Sequence, residues 1–153
     1  EHVEGNVVAH MKHLGGGNSH GISGHVEDAR VRLGDTGLAP LARIRRFFEL
    51  VSMKYREDGY LGCLMGGLGQ ELSGTSEAFR RKIEWCFSSI GERMVACLTE
   101  AKARGDIPAS VDVEHMGHLL VDCWEGAALR SRLRRDPQSL MAMLDFYMRS
   151  IAA

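Results

Sequence analysis

From Pro40 to the C-terminus, apolar residues return every three or four positions and polar residues fill the gaps. That is the period of a helix with one face turned inward. Leu41, Ile44, Phe48, Val51 and Tyr55 form the first such stripe. Pro40 suits its opening position and Gly59 ends it, while Arg43, Arg45, Arg46 and Glu49 fall off the stripe. A shorter helix is predicted over about 61–73. The longest is predicted over 76–104, with Thr75 as its cap, Glu77 in its first turn, and Gly105 and Pro108 at its end. Its stripe is Phe79, Ile83, Phe87, Ile90, Met94, Leu98 and Ala101, with Cys86 and Cys97 along one edge. Another helix follows the cap Asp112 to about Arg135, and Asp136-Pro137 opens a last one reaching about Ile151. No segment alternates apolar and polar at every second residue, as a half-buried strand would. The pattern predicts an all-α fold.

Upstream of Pro40 the signal weakens. Residues 2–14 read as the end of a helix carrying Val3, Val7, Met11 and Leu14. The run GGGNSHGISGH at 15–25 is too rich in glycine and polar residues to offset its ordering entropy. Residues 15–37 are therefore expected to form a flexible glycine-rich connection, with a short polar helical piece near 26–33. The expected organisation is a helix end at 1–14, that connection at 15–37, and a helical body at 38–153.

Three local departures from a plain helical pattern carry information. The short helix LGCLMGGLGQEL holds Gly62, Gly66, Gly67 and Gly69, each costing about 1 kcal/mol against alanine inside a helix. Leu61, Leu64, Met65, Leu68 and Leu72 make one arc of its wheel, and the glycines adjoin it. Such an arc admits a neighbouring backbone closely or leaves room for a bound molecule. Both readings stand. A phosphate loop does not, because no strand precedes the segment and no Lys-Ser/Thr follows it.

The second departure is a helix after Asp112 that is apolar over too wide an arc. Val113, Met116, Leu120, Val121, Cys123, Trp124, Ala127 and Ala128 fill one face, and Leu119, Gly126, Leu129 and Leu133 spread round the back. The last helix behaves alike, through Leu140, Met141, Met143, Leu144, Phe146, Tyr147, Met148 and Ile151. A surface helix normally shows a single stripe. Two helices apolar all round suggest a four-helix dimer interface, with Met116, Leu120, Ala127, Leu140, Leu144, Tyr147 and Met148 as its residues. A monomeric core is the alternative. The third departure is the strip His115, His118 and Asp122, whose spacing suits metal ligands but lacks a second cluster. It reads as a solvated rim, so no metal is assigned, and the histidines at 2, 10, 13, 20 and 25 receive no site.

Composition narrows the functional classes. The 19 basic and 20 acidic side chains nearly cancel and are evenly spread, so the basic face of a domain that grips nucleic acid alone is missing. The 4 cysteines (Cys63, Cys86, Cys97 and Cys123) form no CxxC pair, which fits reduced thiols in a cytoplasmic protein. Charges interrupt every apolar run well short of a membrane span. Cys63, near the start of the glycine-rich helix, is a candidate reactive or ligand-contacting thiol, since a helix N-terminus favours thiolate. Gln70 shares its face. Cys86, Cys97 and Cys123 are expected to be buried and inert, and Trp85 to face away at a secondary contact.

The order of these features resembles the C-terminal half of the TetR/AcrR family of transcriptional repressors. PLARIRRFFEL (40–50), GCLMGGLGQEL (62–72), TEAKARGDIP (99–108), WEGAALRSRL (124–133) and DPQSL (136–140) carry the likeness. The resemblance implies a homodimeric, ligand-responsive repressor, with this chain as its effector-binding and dimerisation part. Residues 2–14 would end the linker to a helix-turn-helix head upstream of Glu1, and operator DNA would be bound only through that head. No cofactor is implied. A small apolar or electrophilic effector would sit among inward-facing large side chains, for which Phe48, Tyr55, Cys63, Met65, Phe87, Met94 and Trp124 are the candidates. Two other classes remain open. An enzyme needs a nucleophile–base pair or converging carboxylates, and only the His115, His118 and Asp122 strip offers one. A helical docking module would pair with a different protein instead of its own copy.

Overall fold

The computed structural model describes residues 22–59 and 62–152. Among them are six helices and no strand: α1 (Ile22–Leu33), α2 (Pro40–Glu57), α3 (Leu64–Leu72), α4 (Glu77–Ala103), α5 (Val113–Arg134) and α6 (Gln138–Ala152). The 27-residue α4 is the central post, packed against α1, α2, α3 and α5, and α6 closes the bundle against α5 and α2. Its stripe supplies Met94, Leu98 and Ala101 to the main core, where they meet Ile44, Phe47 and Phe48 of α2. Leu120, Val121 and Trp124 of α5 and Leu140, Leu144 and Ile151 of α6 complete it. Each of the leucine, isoleucine, valine, methionine and phenylalanine side chains among them contributes about 1.5–3 kcal/mol by leaving water. A second cluster joins Met65, Leu68 and Leu72 of α3 to Ile83 and Cys86 of α4. It holds the glycine-rich helix in place.

The two longest helices approach closely because glycine faces a bulky group on each side. The His118 ring of α5 occupies the space a side chain would need at Gly91 of α4. Conversely, a Cβ on Gly117 would lie 2.7 Å from the Val95 backbone nitrogen. Caps fix the ends. Asp112 accepts a hydrogen bond from the His115 amide at 3.1 Å. At α4 the cap is Ser76, not the expected Thr75: the Ser76 hydroxyl accepts from the Phe79 amide at 3.3 Å, whereas Thr75 donates back to the Leu72 carbonyl.

The upstream reading needs correction. The helical piece expected near 26–33 is there but runs from 22 to 33, and it is no polar stretch of a flexible connection: it buries Ala29 and Leu33 completely or nearly so. Val26, Ala29 and Leu33 follow helical steps, a short stripe that the neighbouring glycines obscure in the sequence. Glu27–Arg30 and Asp28–Arg32 pairs line the outer face. The turn after α1 is fastened as well. Arg43, expected on the outside, is 5% exposed, donates from Nε to the Leu38 carbonyl at 2.8 Å and grips Glu100 with both terminal nitrogens at 2.6 and 3.0 Å. The Cys97 thiol donates to the Leu33 carbonyl. The helix end read over 2–14 and the first part of the glycine run lie outside the described residues.

The dimer residues also redistribute. Leu120, Leu140, Leu144 and Tyr147 are buried in the chain's own core, and the Tyr147 hydroxyl donates to the Met116 carbonyl at 2.7 Å. Met116, Ala127 and Met148 are half-buried against that core. What α5 and α6 leave outside is Leu129, Leu133 and Phe146, the last two 70% and 67% exposed. A helix apolar on two sides offers two arcs, and periodicity alone does not say which one meets the chain's own core.

Candidate ligand cleft

The glycines of α3 form one wall of a cleft of about 420 Å³, and α5 forms the other. Gly62, at φ 69°, makes the entry turn and passes so close to α5 that a Cβ would press on the Ala128 carbonyl. Only glycine combines that backbone angle with that approach. Cys63 then caps α3 in an extended conformation, and its carbonyl accepts from the Gly67 amide at 3.1 Å. At Gly66 a side chain would run into the Glu125 carboxylate, so the missing Cβ leaves room for the acid. Gln70 and Ser73 extend the α3 wall. Phe87 enters from α4, and Glu125, Ala128, Leu129 and Arg132 project from α5. Glu125 and Arg132 stand seven residues apart, which puts both on one helix face.

A polar chain runs into this cleft from behind. The Trp124 indole N–H donates to the Tyr55 hydroxyl at 3.2 Å, and Trp124 is stacked against Phe48 at 4.3 Å between ring centroids. Tyr55 in turn adjoins Cys63, and Cys63 adjoins the Glu125 carboxylate. Burial pushes the Glu125 carboxyl up to about 7, with the bond from Cys63 opposing that rise. Burial and then the neighbouring Glu125 charge push the Cys63 thiol far above its ordinary range. Burial raises Tyr55 in the same way, with Cys63 and Glu125 adding to it. Burial and the adjacent carboxylate work against the thiolate expected of Cys63 from its place at a helix start.

Of the seven side chains expected around an effector, Cys63 and Phe87 line the cleft. Tyr55 and Trp124 stand one layer behind Cys63, and Phe48 supports Trp124. Met65 belongs to the α3–α4 cluster and Met94, fully buried, to the main core, so neither lies on the cleft. Large flexible apolar residues serve a packed core as readily as a cavity. Glu125 and Arg132 are the functional candidates that side-chain size failed to single out. Both belong to the narrow polar strip of this helix, with His115, His118 and Asp122, which reads as a rim and not as a site. Cys86 and Cys97 are buried as expected, whereas Cys123 is half-buried. Trp85 is 44% exposed beneath the Lys82 ammonium, 4.4 Å from the ring centroid. His115, His118 and Asp122 border a separate surface groove with Asp112 and Glu114, and no set of three metal-ligating groups occurs among the described residues.

Residues 40–146 match the family described as "Tetracyclin repressor-like, C-terminal domain", and the chain belongs to that family. The transcriptional regulator AcuR of Cereibacter sphaeroides is 34% identical over 107 residues, 69% of this chain and 49% of that protein. The HTH-type transcriptional repressor DhaR of Mycobacterium sp. (strain GP1) is 27% identical over 108 residues, 71% of this chain and 53% of that protein. The chain therefore spans about half the length of these curated relatives. The crystal structure of the regulatory protein TetR from Rhodobacter sphaeroides superposes with a TM-score of 0.77 at 28% identity, covering 84% of this chain and 70% of that one. The matches are to regulators, not to enzymes. Among the described residues no helix is long and apolar enough to cross a membrane.

Proposed function

We propose that this chain is the effector-sensing and dimerising part of a transcriptional repressor. The observation that carries the proposal is the coincidence of the family match over 40–146 with a cleft walled by the glycines of α3. In this reading a small molecule enters between α3 and α5, and the pairing of two copies through α5 and α6 sets the spacing of two DNA-reading heads. Operator binding belongs to such a head, since this chain's charges nearly cancel and are evenly spread. Of the two kinds of effector considered, one adding covalently to Cys63 and one held by contact alone, the raised thiol favours the second.

The test combines assembly and binding. Sedimentation of the purified chain should return a dimer. A thermal-melt screen of small, largely apolar molecules should find at least one that raises Tm in the parent but not in Gly67→Leu. An added side chain at Gly67 meets only the end of Arg132, 3.8 Å from its Cβ, so the leucine occupies the cleft and not the core. A monomeric chain whose melt responds to nothing, or responds equally in parent and variant, would sink the reading.

A further inference from the structure

Glu125 is an acid in an unusual position. It is half-buried, and none of the ion pairs among the described residues involves it. Its one hydrogen-bonding neighbour of note is the Cys63 thiol, which opposes its rise without cancelling the cost of burial. A buried charge without a countercharge is expensive, and proteins normally supply a partner or leave the group neutral. The surrounding packing does the reverse of economising on this acid. Gly66 gives up its side chain to make room for it, and Cys63, with Tyr55 and Trp124 behind it, lies beside it. The groups facing it from other elements are Tyr55 on α2, Cys63 at the start of α3 and Cys86 on α4; Arg132 shares its own helix and lines the same cleft. None of them pairs with it as a cation.

Resting on the reading of this cleft as the effector site, we propose that its ligand is a small amine: an apolar body against Phe87, Ala128 and Leu129, with an ammonium head set against Glu125. The ammonium supplies the countercharge that the fold withholds. A carboxylate ligand would bring a like charge beside Glu125. A neutral alcohol would donate one hydrogen bond and leave the charge uncompensated.

The proposal fixes a pH dependence. Tyr55, Cys63 and Cys86 are all raised by burial and stay neutral between pH 6 and 8, so Glu125 is the group among these that changes charge there. At pH 6 most of it carries a proton that an ammonium must expel; at pH 8 it is ready. Affinity for an amine should rise about tenfold across that interval, and affinity for an uncharged analogue should not.

The experiment is titration calorimetry of the full chain at pH 6 and pH 8 with phenethylamine, phenethyl alcohol and phenylacetate. Phenethylamine is expected to bind tightest at pH 8 and to show the rise. Glu125→Gln should abolish both the rise and the preference, and Gly67→Leu should abolish binding of all three. If the alcohol or the acid binds as well as the amine in the parent, or the amine ignores Glu125→Gln, the amine proposal fails while the cleft stands. If nothing binds, or binding persists in Gly67→Leu, both fail. The pH profile of the unmodified chain decides the matter even if a variant folds badly.

Discussion

At the scale of single residues, Glu125 links the cleft to the stability of the whole chain. Its carboxyl sits at about 7 in the fold against an ordinary 4.5, so the folded chain holds a proton that the unfolded chain releases. Between those values the folded state binds more protons, and stability falls as pH rises. Glu125→Gln removes that loss. The variant should be more stable than the parent at pH 8 by on the order of 2 kcal/mol, with no advantage left near pH 4. Urea midpoints measured across that range check it; a constant difference at every pH would contradict it. The same carboxylate suppresses Cys63. Limiting N-ethylmaleimide near neutral pH should label Cys63 slowly in the parent and faster in Glu125→Gln, because an adjacent negative charge is gone. Peptide mapping by mass spectrometry reads both rates, and a parent Cys63 that outpaces free glutathione would restore the thiolate. Sequence reading found Cys63 and its glycines because composition in a helix is a local signal. It did not pick out Glu125, since the cost of an unpaired charge depends on what faces it from other helices.

At the scale of elements, periodicity located α2, α4, α5 and α6, because each carries its apolar stripe over many turns. It found only part of α1, a short helical piece near 26–33, because Val26, Ala29 and Leu33 give a short stripe beside a glycine run and the helix rests on packing against α4. It failed at Arg43, whose burial depends on Glu100 fifty-seven positions away. The α4–α5 crossing is likewise invisible in one segment. Gly117 looks like a weak point in a helix, yet its bare backbone is what lets α5 reach Val95. Gly117→Ala should therefore cost about 1–3 kcal/mol despite the better helix propensity of alanine, since the atom it strikes is backbone. Gly126→Ala meets nothing within 4 Å and should instead gain up to about 1 kcal/mol. Thermal unfolding of the two variants side by side measures the contrast. Equal shifts in one direction would mean that the crossing is looser than its geometry implies.

At the scale of the whole molecule, the open question is which surface pairs two copies. The all-α class and the family were legible because both depend on the order of features along the chain. The pairing face was not, because the two apolar arcs of α5 and α6 look alike on a wheel. The packing separates them. Leu120 and Leu144 are fully enclosed by the chain's own helices, so a glutamate at either site buries a charge without a partner and should unfold the protein. Leu133 and Phe146 extend into solvent from the opposite arcs of the same helices. A glutamate there leaves the core untouched, and its cost falls on whatever covers those side chains. A large apolar residue left outside a folded chain often marks such a contact. Leu133→Glu and Phe146→Glu should therefore keep native helical content by circular dichroism while sedimenting as monomers at concentrations where the parent is a dimer. Leu120→Glu and Leu144→Glu should lose helical content instead of giving folded monomers. If both outer variants remain dimers, the pairing face lies elsewhere, and exposed Trp85 on α4 becomes the next residue to change. If the parent itself is a monomer, α5 and α6 are apolar all round for a different partner, and the regulator reading loses the symmetry on which control of two DNA heads depends.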